Sequence, residues 1–240
     1  FKIKIKKYFK KYGISIFPVV NKNQKYLGYI KYEDIKNNLN SARKFDVVIM
    51  AGGLGKRLRP LTNKIPKPLI KINNISIIER IIKNLDFENV NKIYITLFYK
   101  SKLIIDYIRK KSLSSKLCFV VEKKPLGTAG SLLNLKNDLC DDILVINSDV
   151  VSKINIKSYF QYHTKNKADI TLCSKKYNID IPYGVINLNN NKITSIKEKP
   201  RLDYWVNTGI YFLNSKILNN LKKEVKIDIV SLINKSILKK

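Results

Sequence analysis

From residue 45 onward the chain alternates short apolar runs with amphipathic segments, and this alternation most limits the fold it can adopt. Residues 45–50, FDVVIM, are a near-continuous apolar run of strand length, as in a strand buried on both faces. Residues 76–85, SIIERIIKNL, put Ile77, Ile78, Ile81, Ile82 and Leu85 on one helical face. The same reading predicts strands at 92–97, 117–121 and 142–147, with helices at 102–111 and after PLGTAG at 125–130. Strands alternating with helices predict an α/β fold around a doubly wound, mostly parallel sheet. Later segments, ADITLCSK, YGVINL, ITSIKEKP and WVNTGIYFL, predict shorter strands broken by turn residues. In doubly wound sheets ligands lie at the carboxyl ends of the strands. The loops at 51–62, 122–130 and 147–150 fall there.

At 240 residues the chain can bury one sizeable core with a small appended module. No apolar run approaches the roughly 18 residues of a membrane span, and no signal-peptide core follows the basic N-terminus FKIKIKKYFK. A cytoplasmic location with no membrane partner is expected. The only Met is Met50, so the chain reads as a piece of something longer. The formal charge of +29 raises nucleic acid as a partner. Against it, nearly all the cations are lysine, with arginine only at 43, 57, 59, 80, 109 and 201, and there is no aromatic–basic stacking motif. Abundant Lys, Asn and Ile throughout fit the codon bias of an AT-rich genome better than a selected patch, so no specific nucleic acid is expected. Cys118, Cys140 and Cys173 are far apart and read as reduced core thiols. His163, the only histidine, is expected near the end of a surface helix, which leaves no basis for a zinc site or a Ser-His-Asp triad. Asp34, Asp141 and Asp142 read as caps and surface acids, and Pro60 and Thr62 as turn residues.

The stretch AGGLGKRLRPLTNKIPKPL, residues 51–69, carries the chemistry. It lacks the third glycine of a dinucleotide fingerprint, because Leu58 stands there. It is not a P-loop either, since Arg57 follows Gly55-Lys56 and Met50 replaces the first glycine. What remains is a polyphosphate cradle of another kind. Small residues at 51–53 and 55 leave backbone N–H groups free for phosphate oxygens, while Arg57 and Lys67 neutralise charge. Pro66 and Pro68 restrict the backbone on either side of Lys67.

This stretch resembles the signature of the sugar-1-phosphate nucleotidyltransferases, roughly G-G-x-G-x-R-L-x-x-L-T followed by P-K-P. The resemblance continues in order through EKKPLGTAGSL (122–132), NSDV (147–150), PYGVI (182–186), EKP (198–200) and NTGIY (207–211). It covers residues 46 to about 240 and implies a Rossmann-like nucleotide-diphospho-sugar transferase fold. The implied reaction joins a nucleoside triphosphate and a sugar-1-phosphate into a nucleotide-sugar and pyrophosphate, with Mg2+ as cofactor. By the same resemblance Ala51, Gly52, Gly53, Gly55, Lys56, Arg57, Glu122, Gly127, Thr128 and Ala129 bind the nucleotide. Arg57, Lys67 and Asp149 are implied at the reaction centre, and Gly184, Glu198, Lys199, Asn207 and Thr208 at the sugar phosphate. Asp149 is the implied metal acid, with Ser148 where the family often has Gly, and Asp228 is the second metal carboxylate.

Residues 1–42 read differently, as helix, turn at Gly13, strand, strand and helix. PVV at 18–20, LGYI at 27–30 and Asp34 opening a helix resemble the second half of a CBS motif. That places a partial CBS motif over 1–42 before a transferase domain over 43–240. It is similar to CBS-bearing bacterial guanylyltransferases that make GDP-sugars for nonulosonic acids such as legionaminic acid, so GTP is the favoured donor. CBS pairing would imply a homo-oligomer and an adenine nucleotide as a further ligand. The family's usual W-L-D-I-G-like continuation is not among the 240 residues, so the transferase part reads as truncated. Two other readings stay open on sequence alone: an inactive transferase fold that senses adenylate, and a basic RNA-associated protein.

Overall fold

The computed structural model describes residues 11–21, 23–31, 43–85, 88–221 and 226–238. β1 (Ile16–Val20) and β2 (Tyr26–Lys31) form an antiparallel hairpin. The Asn21 side chain accepts from the N–H groups of Asn23 and Lys25, both at 2.9 Å, and so closes the turn. The helix expected to open at Asp34 lies outside the described residues, as does most of the one expected before Gly13.

From residue 43 the elements run β3 (Phe45–Met50), α1 (Leu61–Lys64), β4 (Lys71–Ile72), β5 (Ile75–Ser76) and α2 (Ile77–Lys83). Next come β6 (Val90–Leu97), α3 (Ser101–Lys111), β7 (Leu117–Val121), α4 (Gly127–Leu135), β8 (Asp142–Asn147) and α5 (Ile156–Asn166). The last are β9 (Ile170–Asp180), β10 (Val185–Asn189), β11 (Lys192–Lys197), β12 (Arg201–Asn214) and α6 (Ile229–Ile237). Six strands form one sheet in the order β7-β6-β3-β8-β12-β9. The first four are parallel and β12 runs antiparallel to both neighbours, so the sheet is mixed but mostly parallel.

Every residue of β3 is buried, as expected of a strand covered on both faces. Phe45, Val47 and Ile49 pack with Ile78 and Ile82 of α2, Ile104 and Ile108 of α3, and Ile156 and Phe160 of α5. Val48 and Met50 pack on the other face with Leu132 and Leu133 of α4 and Leu232 and Ile233 of α6. Asp46 interrupts the apolar run without cost because its carboxylate accepts from Asn91 Nδ2, Lys92 N and Cys140 N at 2.9, 3.0 and 2.6 Å. Burial, reinforced by the Asp46 charge, pushes the Cys140 thiol up to about 11. In α2, Ser76 caps the helix by accepting from Glu79 N at 3.2 Å. Lys83 Nζ and the Tyr107 hydroxyl both donate to the Glu79 carboxylate at 2.9 Å. These bonds, Lys83 foremost, hold it below the usual carboxylate range despite burial.

Three expectations are corrected. His163 does lie near the end of a helix, but its side chain is buried, with Nδ1 2.6 Å from Thr171 Oγ1 and the ring stacked on Phe212. Asp142 is no surface acid: it is buried, paired with Arg43, whose Nη2 donates to it at 2.9 Å, and 3.6 Å from His163 Nε2. A charge at the start of a strand is tolerated there because the Arg43 guanidinium meets it. The late strands are not all short. β9 has 11 residues and β12 has 14, paired from Arg201↔Asp180 inward with one break between Asn207 and Tyr211. A bulge lets one strand continue across turn-forming residues, which a local reading takes as a stop.

Candidate active site

β3 and β8 are parallel neighbours with Met50 opposite Asn147, and Ser148 N donates to Met50 O at 3.1 Å. Because β6 flanks β3 on the other side, the chain winds in both directions from this pair. The loops after Met50 and Asn147 therefore open side by side at the switch point, where doubly wound sheets bind ligands.

Ala51 still belongs to the sheet: it is buried and its N–H donates to Thr96 O at 2.9 Å. The four following amides, Gly52, Gly53, Leu54 and Gly55, meet no acceptor among the described residues. Gly55 has φ +63°, and a Cβ there would lie 2.9 Å from Thr62 Cγ2. The Thr62 hydroxyl donates to Gly55 O at 2.8 Å, so Thr62 is a buried anchor of the loop rather than a plain turn residue. Lys56 and Arg57 follow in a 3-10 turn, Lys56–Leu58, both exposed, and Arg57 has no partner among the described residues. Lys67 sits in a second 3-10 turn, Lys67–Leu69, between buried Pro66 and Pro68. Its ammonium pairs with the Asp149 carboxylate across 82 residues of sequence. Both side chains stay accessible, at 32% and 39% exposure, so the pair borders the cleft instead of lying in the core.

The 122–130 loop has its own scaffold. The Glu122 carboxylate is bonded by the Ser131 hydroxyl and accepts from Leu126 N at 3.5 Å. Gly127 has φ +75°, and a Cβ there would lie 2.7 Å from Ile227 O. Ile227 O accepts from Ala129 N and Gly130 N at 3.0 and 3.2 Å, and Thr128 Oγ1 accepts from Ile229 N at 2.7 Å. The start of α4 is thus locked to the start of α6, which sets exposed Asp228, the residue before α6, beside Thr128. Ala129 is fully buried, so Gly127 and Thr128 are the accessible part of this turn.

At the base of the β10–β11 hairpin, the Glu198 carboxylate lies over Gly184, 3.0 Å from where a Cβ would stand. Lys199 is exposed with φ +42°. Asn207 and Thr208 occupy the bulge of β12. Asn207 Nδ2 donates to the Tyr211 hydroxyl at 2.8 Å, its Oδ1 accepts from Gly209 N at 3.0 Å, and Thr208 Oγ1 donates to Cys173 O at 2.7 Å. Gly209, at φ +78°, leaves room for the Asn147 side chain, which would be 2.6 Å from a Cβ. This contact joins Asn207–Gly209 to the strand end that leads into Asp149.

The structure therefore brings Lys67 onto Asp149, Glu198 onto Gly184, Thr128 beside Asp228, and the 207–209 bulge against Asn147. Among the described residues no three His, Cys, Asp or Glu side chains converge in a cluster that could hold a metal by themselves. Sequence reasoning missed Thr62, Asn147, Tyr99 and Lys100 as supports of the site. Thr62 could have been found from its place in the L-T of the glycine stretch. Lys100 carries no local signal, because its partners are carbonyls 36 and 37 residues earlier.

The Nucleotidyl transferase family profile matches residues 46–238. A mannose-1-phosphate guanyltransferase of Yarrowia lipolytica is 34% identical over 181 residues, 72% of this chain and 50% of that protein. A D-glycero-alpha-D-manno-heptose 1-phosphate guanylyltransferase of Aneurinibacillus thermoaerophilus is 27% identical over 174 residues, 72% of this chain and 76% of that one. HddC from Yersinia pseudotuberculosis, solved in complex with GMP-PN, superposes with TM-score 0.60 at 29% identity, over 77% of this chain and 82% of that one. The chain spans about half the length of the first curated relatives it matches. On this evidence, the chain belongs to the nucleotidyl transferase family.

Proposed function

We propose that this protein transfers a nucleotidyl group, with GTP as the favoured donor, to a sugar-1-phosphate, releasing pyrophosphate. The observation that carries the reading is the meeting, at one switch point, of four loop amides and Arg57, all without partners among the described residues, with the Lys67–Asp149 pair. Two anions must approach each other in this reaction, so positioning and charge neutralisation dominate and no His or Cys nucleophile is required. An oxygen of the sugar-1-phosphate attacks the α-phosphorus, and the bond to the bridging α–β oxygen breaks. The glycine-loop amides and Arg57 receive the triphosphate. Lys67 exchanges its carboxylate partner for phosphate at the reaction centre. Gly127 and Thr128 border the base and ribose, while Gly184, Glu198, Asn207 and Thr208 face the sugar, and Lys199 its phosphate.

The residues present fit Mg2+. Asp149 is an accessible hard-oxygen donor on which the Lys67 ammonium already stands in as a cation. Mg2+ is commonly bound through one or two carboxylates plus substrate phosphates rather than by an all-protein cage, so Asp149 with Asp228 would suffice. When bound, the ion neutralises phosphate charge and orients its oxygens. Guanylyl donors are favoured because named relatives are guanylyltransferases and HddC was solved with GMP-PN. Placement among CBS-bearing, legionaminic-acid-type guanylyltransferases is the finer part of the proposal and leans on the hairpin at 16–31 and the motif at 18–34. So do oligomerisation through that motif and adenine nucleotide binding there. A cytoplasmic location is also part of the proposal; among the described residues no helix is long and apolar enough to cross a membrane. The test is a matrix of four nucleoside triphosphates against a panel of sugar-1-phosphates, read by pyrophosphate release. GTP with a hexose-type 1-phosphate should stand out, and silence across the matrix with Mg2+ present would reject the reading.

A further inference from the structure

We propose that Lys100, which no motif of the sequence singles out, is the positioning residue of the glycine loop. The inference rests on the nucleotidyl-transfer reading. The loop starts at the end of β3 and finishes in α1, a helix of four residues. So short a helix leaves its last carbonyls without helical partners. Lys100 supplies them: its Nζ bonds Asn63 O and donates to Lys64 O at 3.0 Å. An ammonium offers three donors, and its charge also suits the negative end of a helix. The Tyr99 hydroxyl adds a weak bond to Thr62 O at 3.5 Å.

Lys100 is itself well placed to hold something still. It stands immediately before α3, with φ +51°, and its carbonyl accepts from Ile104 N at 3.4 Å in the first turn of that helix. β6, which precedes it, pairs with β3 through Met50↔Thr96. Both ends of the loop are thereby tied to β6 and the turn that follows it: one by Ala51 N to Thr96 O, the other by the Lys100 ammonium. Inside the span, Thr62 passes the restraint to Gly55 through its bond to Gly55 O. Lys67, three residues beyond Lys64, shares the anchored segment. The strap touches carbonyls that water can also serve, so removing it costs little global stability. It loosens the loop in the free protein, and the nucleotide must then order that loop as it binds. Such a cost falls equally on ground state and transition state, so it raises KM without lowering kcat.

The experiment compares wild type, Lys100→Met and Lys100→Arg. Amide hydrogen exchange over residues 52–65 without any substrate should quicken in Lys100→Met and return towards wild type in Lys100→Arg, whose guanidinium can also serve two carbonyls. The nucleotide KM of Lys100→Met should rise about tenfold, as expected if the ordered loop falls to a tenth of the population. Its kcat, its sugar-1-phosphate KM and its melting temperature should stay near wild type. Unchanged exchange over 52–65 overturns the proposal. So does a fall in kcat at constant KM, which would make Lys100 a catalytic group. Faster exchange only alongside a general loss of melting temperature makes it a stability residue and overturns it too. If wild type releases no pyrophosphate from any substrate pair, the functional reading fails, and the exchange result alone still decides whether Lys100 holds the loop.

Discussion

Arg57 and Arg59 lie two residues apart in the same exposed stretch, yet they should respond differently to the same change. Arg57 follows Gly55 and Lys56 where the loop amides are unengaged, so a phosphate brought to those amides meets its guanidinium. A guanidinium can bind two phosphate oxygens, whereas an ammonium acts as a point charge. Its benefit should grow as charge moves onto the departing pyrophosphate. Arg57→Lys is therefore expected to lower kcat about 10²-fold, the scale for losing one oriented donor, with a smaller change in nucleotide KM. Arg59→Lys should be near neutral in the same steady-state assay, and equal small effects at both would reduce the loop to a turn. Asp149 allows a second test. It is exposed, and its partner Lys67 can turn to water, so Asp149→Asn should leave thermal unfolding almost unchanged. Turnover with Mg2+ should be abolished; normal turnover by the variant would remove Asp149 from the metal.

Two glycines show how elements, not residues, fix the shape of the cleft. Gly127 opens α4 at φ +75° with Ile227 O where its side chain would go, and Ile227 O also caps Ala129 and Gly130. Gly127→Ala must push the segment leading into α6 away from α4 and also pay for left-handed backbone. A loss of about 1–3 kcal/mol in urea unfolding is expected. Gly53 is the internal control: nothing lies within 4 Å of its missing Cβ, so Gly53→Ala should unfold like wild type. If both variants unfold alike, the α4–α6 lock is not tight.

The central sheet holds the buried core of the molecule, and the candidate site lies at its carboxyl edge. Phe212, in the antiparallel strand β12, is fully buried, with ring centroids of Phe45, Tyr159, Phe160 and His163 at 5.0, 4.9, 5.4 and 5.4 Å. Phe212→Ala should cost about 3–5 kcal/mol, seen as a large fall in denaturation midpoint. Because Phe212 lies opposite Leu144, back from the strand end at Asn147 and with the bulge at Asn207 between it and the start of β12, the folded fraction of the variant should keep its nucleotide KM. Beyond the bulge the β9–β12 ribbon leaves the sheet and splits by face. Arg201 and Asp203 pair with Asp180 and Lys176 on one side, while Leu202, Tyr204 and Val206 alternate onto the other.

Much of this was written locally. Largely apolar runs at 45–50 and 142–147, and the i, i+3, i+4 spacing of Ile77 to Leu85, specify strand and helix from composition and period, so the doubly wound core was legible before any contact was known. The glycine–cation stretch likewise pointed to the phosphate-binding loop proposed here, because glycine spacing and charge are properties of adjacent residues. Pairings across distance were not legible. Lys67 meeting Asp149, Asp142 meeting Arg43 beside His163, and Lys100 reaching back to Asn63 and Lys64 depend on which strands lie side by side. No local pattern encodes such a neighbour. The sequence by itself determined the strands and helices of the doubly wound core and suggested the kind of ligand proposed for the loop. Only the packed sheet, with β3 between β6 and β8, decided which charges face one another and which residues hold the loop in place.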